Sequence, residues 1–189
     1  MKNKSLFGLL VNPFTRIAGW QAFGLGLVFV LLMGFLGAGN GIAFDGVFDM
    51  HMYKITVQQA FLYLGIDLVS LVLVMWVIGL IVSKNFRFID ILGTMTLAKA
   101  PFLLLAIMGY FATAPDLNAI MKDPYVILQS TSFVIMMILT LPVMVWSITL
   151  MFNALKISCG LKGSTLTVAF IVGLLVSEII AKILIHYVV

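Results

Sequence analysis

In the segment SEIIAKILIH, residues 177 to 186, Glu178, Lys182 and His186 recur every fourth residue in a run otherwise apolar enough for hydrocarbon. Four residues is close to one helical turn, so the three groups share a helix face. Asp67 and Lys99 interrupt two other apolar runs. Acids and bases at membrane depth can pair, relay protons or line an ion path, and a central charge costs about 3 kcal/mol without a partner or a wet cavity. Which of these applies depends on the elements that carry them.

The chain has 189 residues, 63% hydrophobic and 10% charged, with a mean hydropathy of +1.21. Soluble domains carry about a quarter charged residues, so this composition places the chain in a membrane. The net charge of +4 resides mainly in short loops. That is a signature of membrane orientation, and nucleic acid is not an expected partner. A single cysteine, Cys159, excludes an intramolecular disulfide. The opening MKNKSLFGLLVNPF has too short an apolar stretch for a signal peptide, so the first span is expected to act as an uncleaved anchor.

Charges delimit the spans. Residues 17 to 44 and 124 to 155 are free of formal charge. The pattern predicts one membrane domain over 1–189, an all-α bundle of five transmembrane helices at about 20–38, 57–83, 88–113, 128–153 and 164–187. No ten-residue alternation of a barrel is visible. Lys2, Lys4, Arg16, Lys84, Arg87, Lys156 and Lys162 fall at one end, and only Lys54 and Lys122 at the other. This predicts the N-terminus inside and the C-terminus outside, with the Asn3-Lys4-Ser5 sequon on the unmodified side. Asn12 and Pro13 suit the cap and first position of a short interfacial helix leading into the first span, with Arg16 among head groups and Phe14, Ile17 and Trp20 facing acyl chains. Two outer stretches, Phe44/Val47/Phe48 and Leu117/Ile120/Met121, have the spacing of helices lying flat on the surface.

At about 1.5 Å per residue, Asp67 lies roughly 15 Å and Lys99 roughly 16 Å along their helices, near the middle of a core about 30 Å thick. Glu178 lies a little beyond the midplane, Lys182 can snorkel outward, and His186 reaches the interface. These depths predict an intramembrane polar cluster of Asp67, Lys99, Glu178 and Lys182, two acids and two bases. It is read either as an ion-pair cluster fixing helix register or as a relay. If it pairs, exchanging the charges (Asp67→Lys with Lys99→Asp) should outperform either single change.

Pro101 and Pro142 predict helix kinks, and a carbonyl freed by Pro101 is placed to accept from Lys99. Gly37 and Gly41 could allow close helix approach, or belong to a loop. Asp45, Asp49 and His51 form a loose acidic group without tight ligand spacing, so no metal is expected. CGLKGST lacks the order of a phosphate loop, and no nucleophile–base set is visible; neither enzymatic activity nor a cofactor is expected. Cys159 is placed in the inner four–five loop as a bystander.

NPF before the first span, five helices, a proline in the third, and VWSITLMFNALKISCGLKGSTLTVAFIVGLLV (145–176) resemble the Yip (Ypt-interacting protein) domain family in its compact bacterial form. The resemblance implies the five-helix fold and brings no catalytic residues. Eukaryotic members are linked to Rab-type GTPases and carry a DLYGP-like motif; that motif is absent here, so Rab binding is not expected. The expected role is a non-enzymatic, membrane-embedded adaptor in the cell (inner) membrane, or an endomembrane if the source is eukaryotic. Arg16 and the basic turn Lys156–Lys162 would face anionic lipid or a cytosolic or membrane protein partner. The rival expectation is a small-solute or ion transporter using the polar cluster.

Overall fold

The computed structural model describes residues 6–83 and 85–188; Lys2, Lys4, the Asn3 sequon and Lys84 lie outside them. Described in chain order are α1 (Leu6–Val11), a 3₁₀ turn (Pro13–Thr15), α2 (Gly19–Asn40), β1 (Ile42–Ala43), β2 (His51–Met52), α3 (Val57–Val82), α4 (Phe88–Ala98), α5 (Phe102–Met108), α6 (Leu117–Lys122), α7 (Val126–Gln129), α8 (Thr131–Cys159) and α9 (Gly163–Val188). Five stretches are long and apolar enough to cross a membrane: α2, α3, α4 with α5, α8 and α9. The fold is thus an all-α membrane bundle with one two-strand ribbon.

Lipid tails are as apolar as leucine, so such helices associate through close packing of small residues rather than by hiding apolar surface from water. α2 and α4 meet this way. A Cβ on Gly93 would land on the Gly19 carbonyl oxygen, and one on Gly26 would lie 2.5 Å from the Leu97 amide nitrogen. The Gly37/Gly41 pair has another use: Gly37 packs under the Ile42 carbonyl, and Gly41 ends α2 in the left-handed region at φ 74°. Gly93→Ala is therefore expected to cost about 1–3 kcal/mol, read as an earlier unfolding midpoint in mixed micelles.

The third span is the central one: 67% of its most apolar 18-residue stretch is buried, against 22–33% of the corresponding stretches in the other four. It is also discontinuous. α4 stops at Ala98, Lys99 to Pro101 form turns, and α5 restarts at Phe102, whose N–H bonds to the Lys99 carbonyl. That switch frees the Ala98 carbonyl, which accepts from the buried Ser147 hydroxyl of α8 at 2.8 Å. The residue using the freed carbonyl is thus Ser147, not Lys99. Pro142, by contrast, sits in an unbroken α8 and lines a shallow apolar cavity of about 390 Å³ with Leu10 and Val145.

Several expectations are corrected. The fourth span runs 131–159 rather than 128–153, because Leu155 and Cys159 are buried and the helix continues until Gly160 turns left-handed at φ 65°. Lys156 therefore lies on α8, the turn is only Gly160 to Lys162, and Cys159 is a buried residue packed near Gly79. At the N-terminus a single 3₁₀ turn follows Asn12, whose N–H bonds back to Gly8 and whose side chain makes no cap bond. The helix there is α1, tied to α8 by Trp146 Nε1 donating to the Leu10 carbonyl at 2.9 Å and by Asn153 donating to Val11. Phe14 is drawn into the core, while Trp20 stays exposed.

The largest correction concerns residues 42–52. No helix lies flat there. β1 and β2 pair antiparallel, and Ile42, Ala43, Phe44 and Val47 are all buried, with the Phe44 ring centroid 6.1 Å from that of Phe102. The segment enters the bundle from the end opposite Arg16 as a plug of irregular backbone. α3 then starts cleanly, with Thr56 and Gln59 forming a reciprocal capping box.

Candidate functional site

Irregular backbone at membrane depth must be satisfied by protein, since hydrocarbon offers no donors or acceptors. The plug meets this demand with the ionisable residues of the spans. Glu178 Oε2 accepts the Val47 N–H at 2.6 Å and the Phe48 N–H at 3.4 Å. Lys99 Nζ donates to the Gly46 carbonyl at 3.5 Å. Gly46 is needed at this point, because a Cβ there would collide with the Glu178 carboxylate.

Behind the plug, Lys99 Nζ lies 3.7 Å from Asp67 Oδ2, with both side chains buried, and 5.7 Å from the Phe102 ring centroid. Neither Asp67 oxygen accepts a hydrogen bond among the described residues, and nor does the Ser70 hydroxyl one turn along α3 find a partner. In front of the plug, Lys182 contacts Asp49 at 2.9 Å, Asp45 at 3.8 Å and Glu178 at 4.0 Å. His51 Nδ1 lies 2.8 Å from Asp45.

The four residues expected to form one intramembrane cluster therefore divide between two centres. Asp67 and Lys99 form the buried pair. Lys182 belongs with Asp45 and Asp49 toward the solvent end, because the plug carries those carboxylates to it. Glu178 bridges the two centres through its plug hydrogen bonds. His186 is exposed and stacks edge-on against Tyr187.

The ligand atoms of Asp45, Asp49 and His51 lie within 4.8 Å of one another, tighter than their sequence spacing implied. Lys182 supplies the countercharge for that group. Burial works to raise the Asp49 carboxyl, but the hydrogen bond and charge of Lys182 outweigh it and hold the group below the ordinary carboxylate range. A depressed acid stabilises the fold at neutral pH and loses that contribution as pH falls through its folded value. The stability gap between the parent and Asp49→Asn is therefore expected to close as pH drops from 7 to below about 4, seen by melting temperature. With both side chains more than a third exposed, that gap is under about 1 kcal/mol.

At the opposite end, the Thr94 and Ser158 hydroxyls lie 2.9 Å apart. A cavity of about 640 Å³, lined by Ser83, Asn85, Arg87, Asp90 and Ser158, opens there. Arg87 is held in a two-point contact by Asp90. Arg16, Lys156 and Lys162 are exposed at this same end, and their side chains have no hydrogen bond or ion pair among the described residues. Sequence reasoning missed the plug; its signal was the pair of acids, Asp45 and Asp49, opposite Lys182, which loop spacing alone does not bring to one point.

Comparison with known proteins leaves the chain defined by its fold: a multi-pass helical membrane protein with five candidate spans. No family model, curated protein or solved structure matches it.

Proposed function

We propose that the protein moves a small cation, the proton being the simplest, along the polar groups that thread the bundle. The observation carrying this reading is Asp67. A buried ion pair offsets its desolvation only when its remaining lone pairs are hydrogen-bonded. Asp67 is fully buried with neither oxygen so engaged, so the pair contributes little stability for its cost. Buried unsatisfied groups of this kind are concentrated where function requires them. Two irregular backbone segments, the plug and the α4–α5 break, converge on the same pair, which is how transporters build sites at the midplane. From the plug end the groups run His51, Asp45/Asp49, Lys182, Glu178 and Lys99/Asp67. Beyond the pair, Ser147 and the Thr94–Ser158 hydroxyls lead toward the cavity.

The test is proton flux into liposomes carrying an internal pH-sensitive dye. Flux above protein-free vesicles, abolished in a folded Asp67→Asn variant, supports the reading. Flux no greater than the control overturns it.

The adaptor role expected from the sequence is favoured by a different observation, the unpartnered cations Arg16, Lys156 and Lys162 at one end. Photo-crosslinking from Lys162 in cells tests it, a single recurrent foreign protein being the supporting result. Both readings place this cation-rich end in the cytoplasm of a cell (inner) membrane, and protease access to a tag at each terminus checks that. Neither involves covalent chemistry. The kinship with Yip domains is part of the proposal, resting on the spaced residues of the last two spans.

A further inference from the structure

Between α1, α2, α5 and α8 runs a lateral groove of about 330 Å³, lined among others by Leu10, Ile17, Leu25, Phe29, Pro101 and Trp146. Its position along the spans is what defines an occupant. It begins beside Ile17, at the mouth of α2, and reaches Phe29, ten residues beyond Gly19 and so roughly 15 Å deeper. Its floor is the α4–α5 break at Ala100 and Pro101, near mid-depth by the same measure. The groove thus extends from head-group level to the midplane, the depth of one leaflet of a core about 30 Å thick. Arg16 directly precedes Ile17, which lines the shallow end; it is exposed, and its side chain has no hydrogen bond or ion pair among the described residues. An apolar slot one leaflet deep, with an exposed arginine adjoining the residue at its shallow end, has the chemistry of a single anionic lipid: an acyl chain in the slot and a phosphate within reach of the arginine.

We infer that this groove is a binding site for an anionic glycerophospholipid, with Arg16 selecting the head group and the groove taking one chain. The occupant lies against the outer side of the helix break whose inner side presents Lys99.

Trp146 lines the groove, and the other two tryptophans are Trp20 and Trp76. In a Trp20→Phe/Trp76→Phe background, Trp146 emission is read in bilayers containing phosphatidylglycerol or phosphatidylcholine with brominated chains. The expected result is quenching by phosphatidylglycerol at about fivefold lower mole fraction, falling to parity in Arg16→Gln. Ala100→Phe, which fills the groove floor and leaves Arg16 in place, is expected to remove the preference as well. Equal quenching by the two lipids overturns the inference, as does a preference that survives Arg16→Gln. Shielding of Trp146 from both lipids, the sign of a protein segment or second copy over the groove, overturns it too. Arg16 is exposed, so its variant folds with the parent, and helical circular dichroism verifies this.

Discussion

Lys99→Met and Asp67→Leu are each expected to cost about 3–5 kcal/mol, and the double variant close to nothing relative to the parent. Each single change strands a polar or charged group without its contact partner: neither Asp67 nor Lys99 has another ion pair among the described residues. Removing both ends at once removes the need for pairing. The residual cost of the double variant is the Gly46 carbonyl, which loses its donor at 3.5 Å, about 1–3 kcal/mol. The relief of an unsatisfied buried carboxylate offsets it. Unfolding in mixed micelles, followed by circular dichroism as a double-mutant cycle, reads the coupling directly. Additive costs would rule out the pair as an energetic unit. The charge exchange Asp67→Lys with Lys99→Asp, an apparent test from the sequence, is now expected to fail even though the pair exists. It would place a carboxylate against the Gly46 carbonyl and the π-face of Phe102, both of which favour a cation.

Glu178→Ala is expected to release the plug. Its carboxylate is the acceptor for two backbone N–H groups that have left regular structure, and hydrogen bonds to a charged group are worth about 1.5–3 kcal/mol each. A loss of about 3 kcal/mol is expected locally, and the plug should open before the helices separate. The readout is a cysteine at position 47, fully buried in the parent, introduced with Cys159→Ala and probed with a water-soluble maleimide. Labelling should be slow in the parent, fast with Glu178→Ala and intermediate with Glu178→Gln, which keeps one acceptor oxygen. Gly46→Ala should resemble Glu178→Ala, because its methyl group would displace the same carboxylate. Unchanged labelling in both would mean that the plug is held by Phe44 and Val47 packing alone. In the transport reading, an opened plug also raises flux, tying the two measurements together.

The spans, their number and the position of the charged residues along them were legible in the sequence, because each follows from local composition. A run without charges long enough to cross hydrocarbon has few alternatives, and 1.5 Å per residue converts position to depth whatever the neighbours are. So Asp67 and Lys99 could be matched in height before they were seen together. What the loops do was not legible. Phe44, Val47 and Phe48 have spacing that suits an interfacial helix equally well. Whether they enter the bundle depends on Glu178 lying where Val47 and Phe48 need an acceptor, 130 residues further along the chain. The allocation of Lys182 to Asp45 and Asp49 rather than to Asp67 depends on the same event. The end of α8 was not legible for a related reason: the helix continues to Cys159 because Leu155 and Cys159 find a buried face, which no local propensity encodes. The sequence by itself therefore determined that the chain is a bundle of apolar, membrane-length helices and where along each helix a charge sits. Only the tertiary structure decided which charges meet, because desolvated polar groups choose partners by proximity in space, and that proximity is set by how the plug and the broken third span pack.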